Sequence, residues 1–145
     1  MMVNKYWLQL MLVGAALLIG GCQNSAVDYL VPRLGVKNNY LEPQDFAEHL
    51  RRNRVEVGEV RPLPPDPFRA SSACAIMVGD SEIGVYKYDV SSSVQKKRLE
   101  AIAEERRVYI IGLPYAAAVH GSFVIVGLDK NHHKHEIVRA LRTFE

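Results

Sequence analysis

The chain has 145 residues, of which 48% are apolar and 23% are charged, and its formal net charge is +2. This composition excludes a disordered chain, and the near balance of charge argues against a protein that binds nucleic acid through a basic surface. The length predicts a single folded domain.

The first element along the chain is an apolar segment. Lys5 is the only charged residue before position 22, and Trp7–Gly21 is apolar apart from Gln9. A charged start followed by an apolar run of this length is typical of a secretory signal peptide. The run is short for a membrane-spanning helix, which needs ~20 apolar residues. It ends in the sequence Leu18-Ile19-Gly20-Gly21-Cys22.

This ending resembles the lipobox of bacterial lipoprotein precursors, in which a branched apolar residue and two small residues precede a cysteine. The resemblance implies cleavage between Gly21 and Cys22 and attachment of acyl chains, such as palmitate, to Cys22. Two or three acyl chains hold a protein on a bilayer firmly, at about 0.8 kcal/mol per buried CH₂. In that family the next residue guides sorting, and Gln23 favours the outer membrane where the organism has two membranes.

The sequence therefore predicts three segments. Residues 1–21 form a lipoprotein signal peptide, and residues 22–40 form a lipidated N-terminus and a tether without regular periodicity. Residues 41–145 form one domain. Small exported domains often contain disulfides, but acylation of Cys22 leaves Cys74 without a partner in the chain, so the domain depends on packing for its stability.

Periodicity and turn residues predict three helices and five strands in the domain. The helices cover about residues 42–53, 94–106 and 132–143, with Pro43 in the first turn of the first helix. The strands cover about 55–61, 74–78, 83–88, 108–119 and 123–128, with an interruption of the fourth at 112–114. Residues 62–67 are rich in proline and are predicted to be extended.

The order α-β-β-β-α-β-β-α predicts an α+β fold. We expect a small antiparallel sheet of about five strands with the helices packed on one face. The strand Ile83–Asp89, the strand within Gly121–Val126 and the helix around Ile137–Leu141 also resemble a layout of small bacterial lipoprotein domains. That resemblance implies the fold and the anchoring alone, since no activity is assigned to the group.

A cluster of histidines is the first candidate site. His132, His133 and His135 lie together, and on a helix His132 and His135 would share one face. A zinc site usually needs three or four ligands, so His120 or Asp129 would have to complete it. The alternative interpretation is a polar, exposed first helical turn.

Other residue types suggest weaker candidates. Cys74 is a potential nucleophile, but its apolar neighbours favour a thiol buried in a strand. Four tyrosines, at positions 86, 88, 109 and 115, would either line a ligand groove or cover the rim of the core. The arginines at 51, 52 and 54 would either contact lipid headgroups or stabilise the C-terminal end of a helix. The two P-x-x-P spacings within 62–67 would either dock on an aromatic groove of another protein or form a stiff connector between strands.

The sequence contains no G-x-S-x-G, Walker A, H-E-x-x-H, C-x-x-C or Rossmann glycine motif, which lowers the odds of an enzyme. The favoured hypothesis is a non-catalytic, lipid-anchored envelope module without a cofactor. Its partners would be the membrane, through Cys22, and an envelope protein. A periplasmic binder of a metal or small ligand is the second hypothesis, and a small hydrolase with an unrecognised site is the third.

Overall fold

The computed structural model describes residues 32–145. The signal peptide, the predicted cleavage site between Gly21 and Cys22, and the first part of the tether lie outside the described residues. Within residues 32–145, three helices and six strands follow one another in the order α1 Pro43–Arg52, β1 Val57–Pro62, β2 Ser72–Val78, β3 Ser81–Lys87, α2 Ser93–Glu105, β4 Arg107–Ile110, β5 Leu113–His120, β6 Phe123–Val126 and α3 Lys134–Leu141. Short 3-10 turns cover Asp66–Phe68 and Leu128–Lys130. Within the described part of the chain, no helix is both long and apolar enough to span a bilayer.

The strands form one antiparallel sheet in the order β1-β2-β3-β6-β5-β4. The fold is therefore α+β, as predicted, but the sheet has six strands rather than five. The additional strand arises because residues 108–119, which the sequence indicates as one interrupted strand, turn back at Ile111 and Gly112. These two residues have φ of 49° and 76°, and positive φ at both central residues is what a two-residue hairpin of type I′ requires.

Helices cover both faces of the sheet, so the expectation of helices on one face is wrong. One apolar cluster joins α1 and α3 to alternate residues of the central strands, including Cys74, Val85 and Ile125. The other joins α2 to the residues between them, including Tyr86 and Val124. Successive side chains of a strand point to opposite faces, and here the side chains on both faces are apolar. A helix on one face alone would leave the second set exposed.

The helices begin and end close to their predicted limits, with one difference. Glu42 and Asp45 form a capping box ahead of α1, with Pro43 in its first turn. The last helix begins at Lys134 rather than at His132, because Asn131 accepts a hydrogen bond from the backbone N–H of His133 at 2.8 Å and holds that residue outside helical geometry. The proline-rich segment is also more regular than predicted, since Pro62 closes β1 and Asp66–Phe68 form a turn.

Residues 33–39, which the sequence assigns to the tether, contact the domain. The backbone N–H of Arg33 donates to Val119 at 3.0 Å, and the carbonyl of Arg33 accepts from Gly121 at 2.7 Å. Asn38 is fully buried: its amide nitrogen donates to the carbonyl of Phe144 at 2.9 Å and its oxygen accepts from the N–H of Ser122 at 2.8 Å. We call residues 33–39 the strap, because they join the β5–β6 turn to the C-terminus.

Candidate functional site

The hairpin formed by β4 and β5 extends past the rest of the sheet. Strand β5 pairs with β6 only from Ala117 to His120, whereas its first half, from Leu113 to Ala116, pairs only with β4. The turn at Ile111 and Gly112 is thus the outer end of a two-stranded extension. Asn-Gly is the usual choice for such a turn, and a β-branched residue with positive φ is an outlier that indicates strain.

The outer end of this hairpin carries apolar side chains in solvent. Ile111 is 97% exposed, Leu113 61%, Tyr109 50% and Tyr115 39%. We call these four side chains the hairpin tip. Leu113 and Tyr115 lie on one face of the hairpin, Tyr109 lies on the other, and Ile111 is in the turn between the strands. Single exposed apolar residues are common on protein surfaces, but several at the end of one hairpin are typical of a binding site. Ile111 combines a strained backbone with a fully exposed side chain, which makes it a candidate contact residue.

Strand β4 also has an unpaired edge, since no strand within residues 32–145 lies on its outer side. The carbonyl of Arg106 accepts from the N–H of Ala117 at 3.0 Å. Backbone groups of an antiparallel pair alternate in direction, so the N–H and C=O of Arg107 and Tyr109 point away from β5. An open edge beside apolar side chains is suited to pairing with a strand of another chain.

The four tyrosines do not form one groove. Tyr88 is fully buried and its hydroxyl donates to the carbonyl of Phe68 at 2.7 Å. Tyr86 is also buried, with its ring edge-on to that of Phe68 at 4.4 Å. Tyr86 and Tyr115 line one cleft of about 410 Å³, whereas Tyr109 lines a different cavity beside α2.

The histidine cluster lies at the start of α3. His135 is on the helix and His132 precedes it, both exposed, so the shared helical face that the sequence suggested for them does not form. The ring of His133 lies over Gly79, where a Cβ atom would come within 2.7 Å of it. Within residues 32–145, no group of three or more His, Cys, Asp or Glu side chains is arranged to hold a metal ion. Metal binding stays a prediction without geometric support.

Cys74 lies in β2 with no exposed surface. Burial raises the pKa of its thiol to about 11, so the group is protonated at neutral pH. A thiolate is the reactive form, and this environment is that of a small apolar core residue.

The arginines at 51, 52 and 54 lie at the exposed C-terminal end of α1, where Arg51 pairs with Glu48 of the preceding turn.

A further cavity lies between the strap and α2. It has a volume of about 590 Å³, and its walls are mainly apolar, with contributions from Leu34, Val36 and Leu99. Two lysines, Lys37 and Lys96, also line it. Such a groove has the size of a small-molecule site, for which ~300–1,000 Å³ is usual.

His120 is a buried titratable group at the end of β5. It is 3% exposed, and its Nε2 has no hydrogen-bond partner within the described residues. Burial, reinforced by the charge of Arg33 and by His49, lowers the pKa of the imidazole, which Glu145 opposes. The folded state therefore favours the neutral ring, whereas the unfolded chain takes up a proton near pH ~6.5.

Replacing His120 with leucine should weaken the pH dependence of stability. A folded pKa below the unfolded one means that stability is present above pH ~6.5 and is lost as the pH falls through that value. Urea midpoints measured by circular dichroism between pH 7 and pH 5 should fall more steeply for the parent than for His120→Leu. The control is His132→Gln, which changes an exposed histidine and should keep the parent slope. Equal slopes for all three chains would contradict the assignment.

No protein-family model matches this chain, and no curated protein or solved structure shows significant similarity to it. The candidate surface thus depends on the geometry alone. Sequence reasoning had singled out Tyr109 and Tyr115, but not Ile111 and Leu113. The available signal for an apolar turn was a glycine with apolar residues on both sides, in Ile110-Ile111-Gly112-Leu113.

Proposed function

We propose that this protein is a lipid-anchored lipoprotein of the bacterial cell envelope whose domain is a non-catalytic interaction module. It docks on a protein partner through the hairpin tip and the open edge of β4. The observation that carries the docking proposal is the exposure of Tyr109, Ile111, Leu113 and Tyr115 on one extended hairpin.

The anchor is supported by the run Leu18-Ile19-Gly20-Gly21-Cys22. Pro32 lies ten positions after Cys22 along the sequence. An extended chain spans ~3.3–3.6 Å per residue, so the domain would stay within about 35 Å of the bilayer. Confinement at a membrane raises the effective concentration of a module near its membrane partners. The protonated, buried thiol of Cys74 supports the non-catalytic part of the proposal.

A protein partner is favoured over direct insertion of the tip into the bilayer. The outward N–H and C=O groups of Arg107 and Tyr109 belong to an open sheet edge, and such edges are costly in hydrocarbon, where nothing satisfies them. A strand of a protein partner satisfies them directly. In addition, the strap joins the domain at His120, the opposite end of β5 from Leu113. These ends are about 23 Å apart at 3.3 Å per residue, so the tip lies far from the point where the tether enters.

Photo-crosslinking in native membranes tests the docking surface. Tyr109 is replaced by benzoylphenylalanine, and in a matched chain Val94, which is 56% exposed on α2, is replaced instead. The proposal expects a discrete adduct from position 109, heavier than the chain and different in mass from two copies, and none from position 94. An adduct with the mass of two copies would assign the surface to self-association, and equal labelling at both positions would exclude a specific surface; either outcome contradicts the proposal.

Replacing Ile111 with asparagine should stabilise the fold and remove the contact. Asparagine tolerates positive φ, so the change relieves part of a strain that costs about 1–2 kcal/mol in an L-residue. The urea midpoint should rise, while the crosslinking yield from position 109 should fall at least tenfold. The control is Val94→Ala, which removes an exposed apolar side chain elsewhere and should retain the yield. A lower midpoint or an unchanged yield would contradict the role given to Ile111.

The anchor is tested separately by mass spectrometry of the N-terminal peptide. The mature peptide should begin at Cys22 and carry the mass of two or three acyl chains, and Cys22→Ser should abolish both the cleavage and the acyl mass. A mature chain that begins at another residue, or a Cys22 without acyl chains, would contradict the anchor while leaving the docking surface open to its own test.

A second function, binding of a small apolar ligand, is supported by the 590 Å³ groove between the strap and α2. The lysines at 37 and 96 among its lining residues suit an anionic group at one end of that ligand. A ligand that binds the folded state raises the melting temperature with its concentration. Such stabilisation by dodecanoate, lost in Lys37→Gln/Lys96→Gln, would favour this function over docking on a protein.

A further inference from the structure

A cavity on the other side of α2 collects positive charge. It has a volume of about 420 Å³ and is lined by residues from the 3-10 turn Asp66–Phe68, from α2 and from β4. Arg69, Arg98 and Arg107 are among them, and Glu105 is the only acidic residue of this described lining. Three arginines against one glutamate give a formal charge of +2, which equals the net charge of the whole chain. We call it the arginine cavity.

The three arginines come from separate elements and lack acidic partners. Arg69 follows the 3-10 turn, Arg98 lies in α2 and Arg107 is the first residue of β4. The ion pairs formed within residues 32–145 involve other arginines and a lysine. Arg107 precedes the buried Val108, so its side chain leaves β4 on the opposite face of this edge strand. Like charges near one another without an anion raise the energy of the compact state, and an anion at this cavity would lower it.

The backbone that presents Arg69 is held in place before any ligand arrives. The carbonyl of Phe68 accepts the buried hydroxyl of Tyr88 at 2.7 Å. The carbonyl of Arg69 itself accepts the side-chain amide of Gln95 at 2.9 Å. Arg69 has a φ of 53°, in the left-handed region. Two hydrogen bonds thus fix the backbone of a strained residue at the rim of the cavity, which sets where its side chain begins.

We infer that the arginine cavity binds a phosphate group carried on an apolar body. A phosphomonoester has a charge of about −1.5 to −2 at pH 7, which balances the formal charge of the cavity, and the phosphodiester of a phospholipid headgroup, with a single negative charge, balances part of it. Guanidinium groups bind phosphate oxygens in a bidentate manner. The remaining wall includes Phe68, Ile102 and Val108, and it provides an apolar surface for the rest of the ligand. The ligand is either a soluble phosphate ester or the headgroup of an anionic phospholipid, and the inference does not rest on the protein partner proposed above.

Calorimetry with phenyl phosphate tests the inference on the full chain in neutral detergent. The parent should bind it, and Arg69→Gln/Arg107→Gln should bind it at least tenfold more weakly. The control is Arg52→Gln/Arg139→Gln, which removes two exposed charges from α1 and α3 and should retain the parent affinity. Melting temperatures of the variants establish that each is folded. Equal weakening in both double variants would overturn the inference, because it would show attraction by overall charge alone.

Micelles doped with phospholipid distinguish the two sources. Arginine Nε–H signals in nuclear magnetic resonance spectra are compared with phosphatidylglycerol and with phosphatidylcholine. Binding of phenyl phosphate without a specific effect of phosphatidylglycerol assigns a soluble ester to the cavity. Shifts caused by phosphatidylglycerol alone, and lost in the Arg69→Gln/Arg107→Gln chain, assign a lipid headgroup. If phenyl phosphate does not bind at millimolar concentration and the two lipids act alike, the inference is wrong.

Discussion

Replacing Gly121 with alanine should lower the free energy of unfolding by about 4 kcal/mol. The new Cβ would lie 2.1 Å from the Oδ1 of Asn38, and Gly121 has a φ of 59°. An L-residue in the left-handed region costs about 1–2 kcal/mol. Asn38 would have to move as well and lose its bonds to Ser122 and Phe144, at about 0.5–1.5 kcal/mol each. Since small domains are stable by only about 5–15 kcal/mol, this change would remove a large part of the stability.

The control for the left-handed conformation is Gly35→Ala. Gly35 has a φ of 86°, and a Cβ there would meet no atom within 4 Å. Its replacement should therefore cost only the conformational part, about 1–2 kcal/mol. Urea midpoints followed by circular dichroism give both values. If Gly121→Ala costs no more than Gly35→Ala, then the close approach of Asn38 is not an energetic constraint.

A double-mutant cycle isolates the clash. Asn38→Ala should itself be destabilising by about 1–3 kcal/mol, because it leaves the N–H of Ser122 without its partner. In that background, however, Gly121→Ala should cost much less than in the parent, since the obstructing side chain is gone. Contacting residues commonly show such non-additivity, by about 0.5–3 kcal/mol. Additive costs would contradict the contact between strap and turn.

Replacing Phe144 with alanine should cost about 3–5 kcal/mol. Phe144 is 2% exposed although it is the second-last residue of the chain. Its ring meets those of Phe46 and Phe123 edge-on, both at 5.0 Å between centroids, and it lies 5.3 Å from that of His49. Edge-on aromatic pairs add about 0.5–1.5 kcal/mol to the burial of the ring itself. The side chain therefore joins α1, β6 and the C-terminus in one cluster.

The matched control is Tyr40→Ala, which removes an aromatic side chain that is 72% exposed and should cost less than about 0.5 kcal/mol. Phe144→Leu, which keeps most of the apolar volume, should lie between the two. A cost for Phe144→Ala as small as that for Tyr40→Ala would show that the C-terminus contributes little to the core.

The sequence predicted most elements because their signals are local. The turn at Gly79 and Asp80 between β2 and β3 and the Ser92 cap of α2 are signals of this kind, carried by a few adjacent residues. The β4–β5 hairpin was missed because its turn contains isoleucine, whereas asparagine or glycine is the usual signal. The sequence also failed to predict that helices cover the second face of the sheet, although the apolar run Phe123–Val126 is typical of a strand covered on both faces.

The candidate sites were harder to predict, because they depend on residues distant in sequence. Tyr109 and Tyr115 attracted attention as aromatic residues, but their exposure follows from the length of β5 beyond β6. Arg69, Arg98 and Arg107 carry no shared motif, and only the packing of the 3-10 turn and β4 beside α2 brings them to one cavity. The histidines, by contrast, are close together in sequence. Because α3 begins only at Lys134, His132 and His135 do not share one helical face.

Strand β5 has a mechanical consequence for a protein held by lipid at one end and by a partner at the other. A pull on the hairpin tip passes along the covalent backbone of Leu113–His120 to the two hydrogen bonds of Arg33, at 3.0 and 2.7 Å. Arg33 pairs with His120 in parallel orientation, so a pull along the chain loads both hydrogen bonds of Arg33 at the same time. Strand β5 itself is paired with β4 and β6, so tension between membrane and partner would load the two hydrogen bonds of Arg33 before it separated the strands of the sheet.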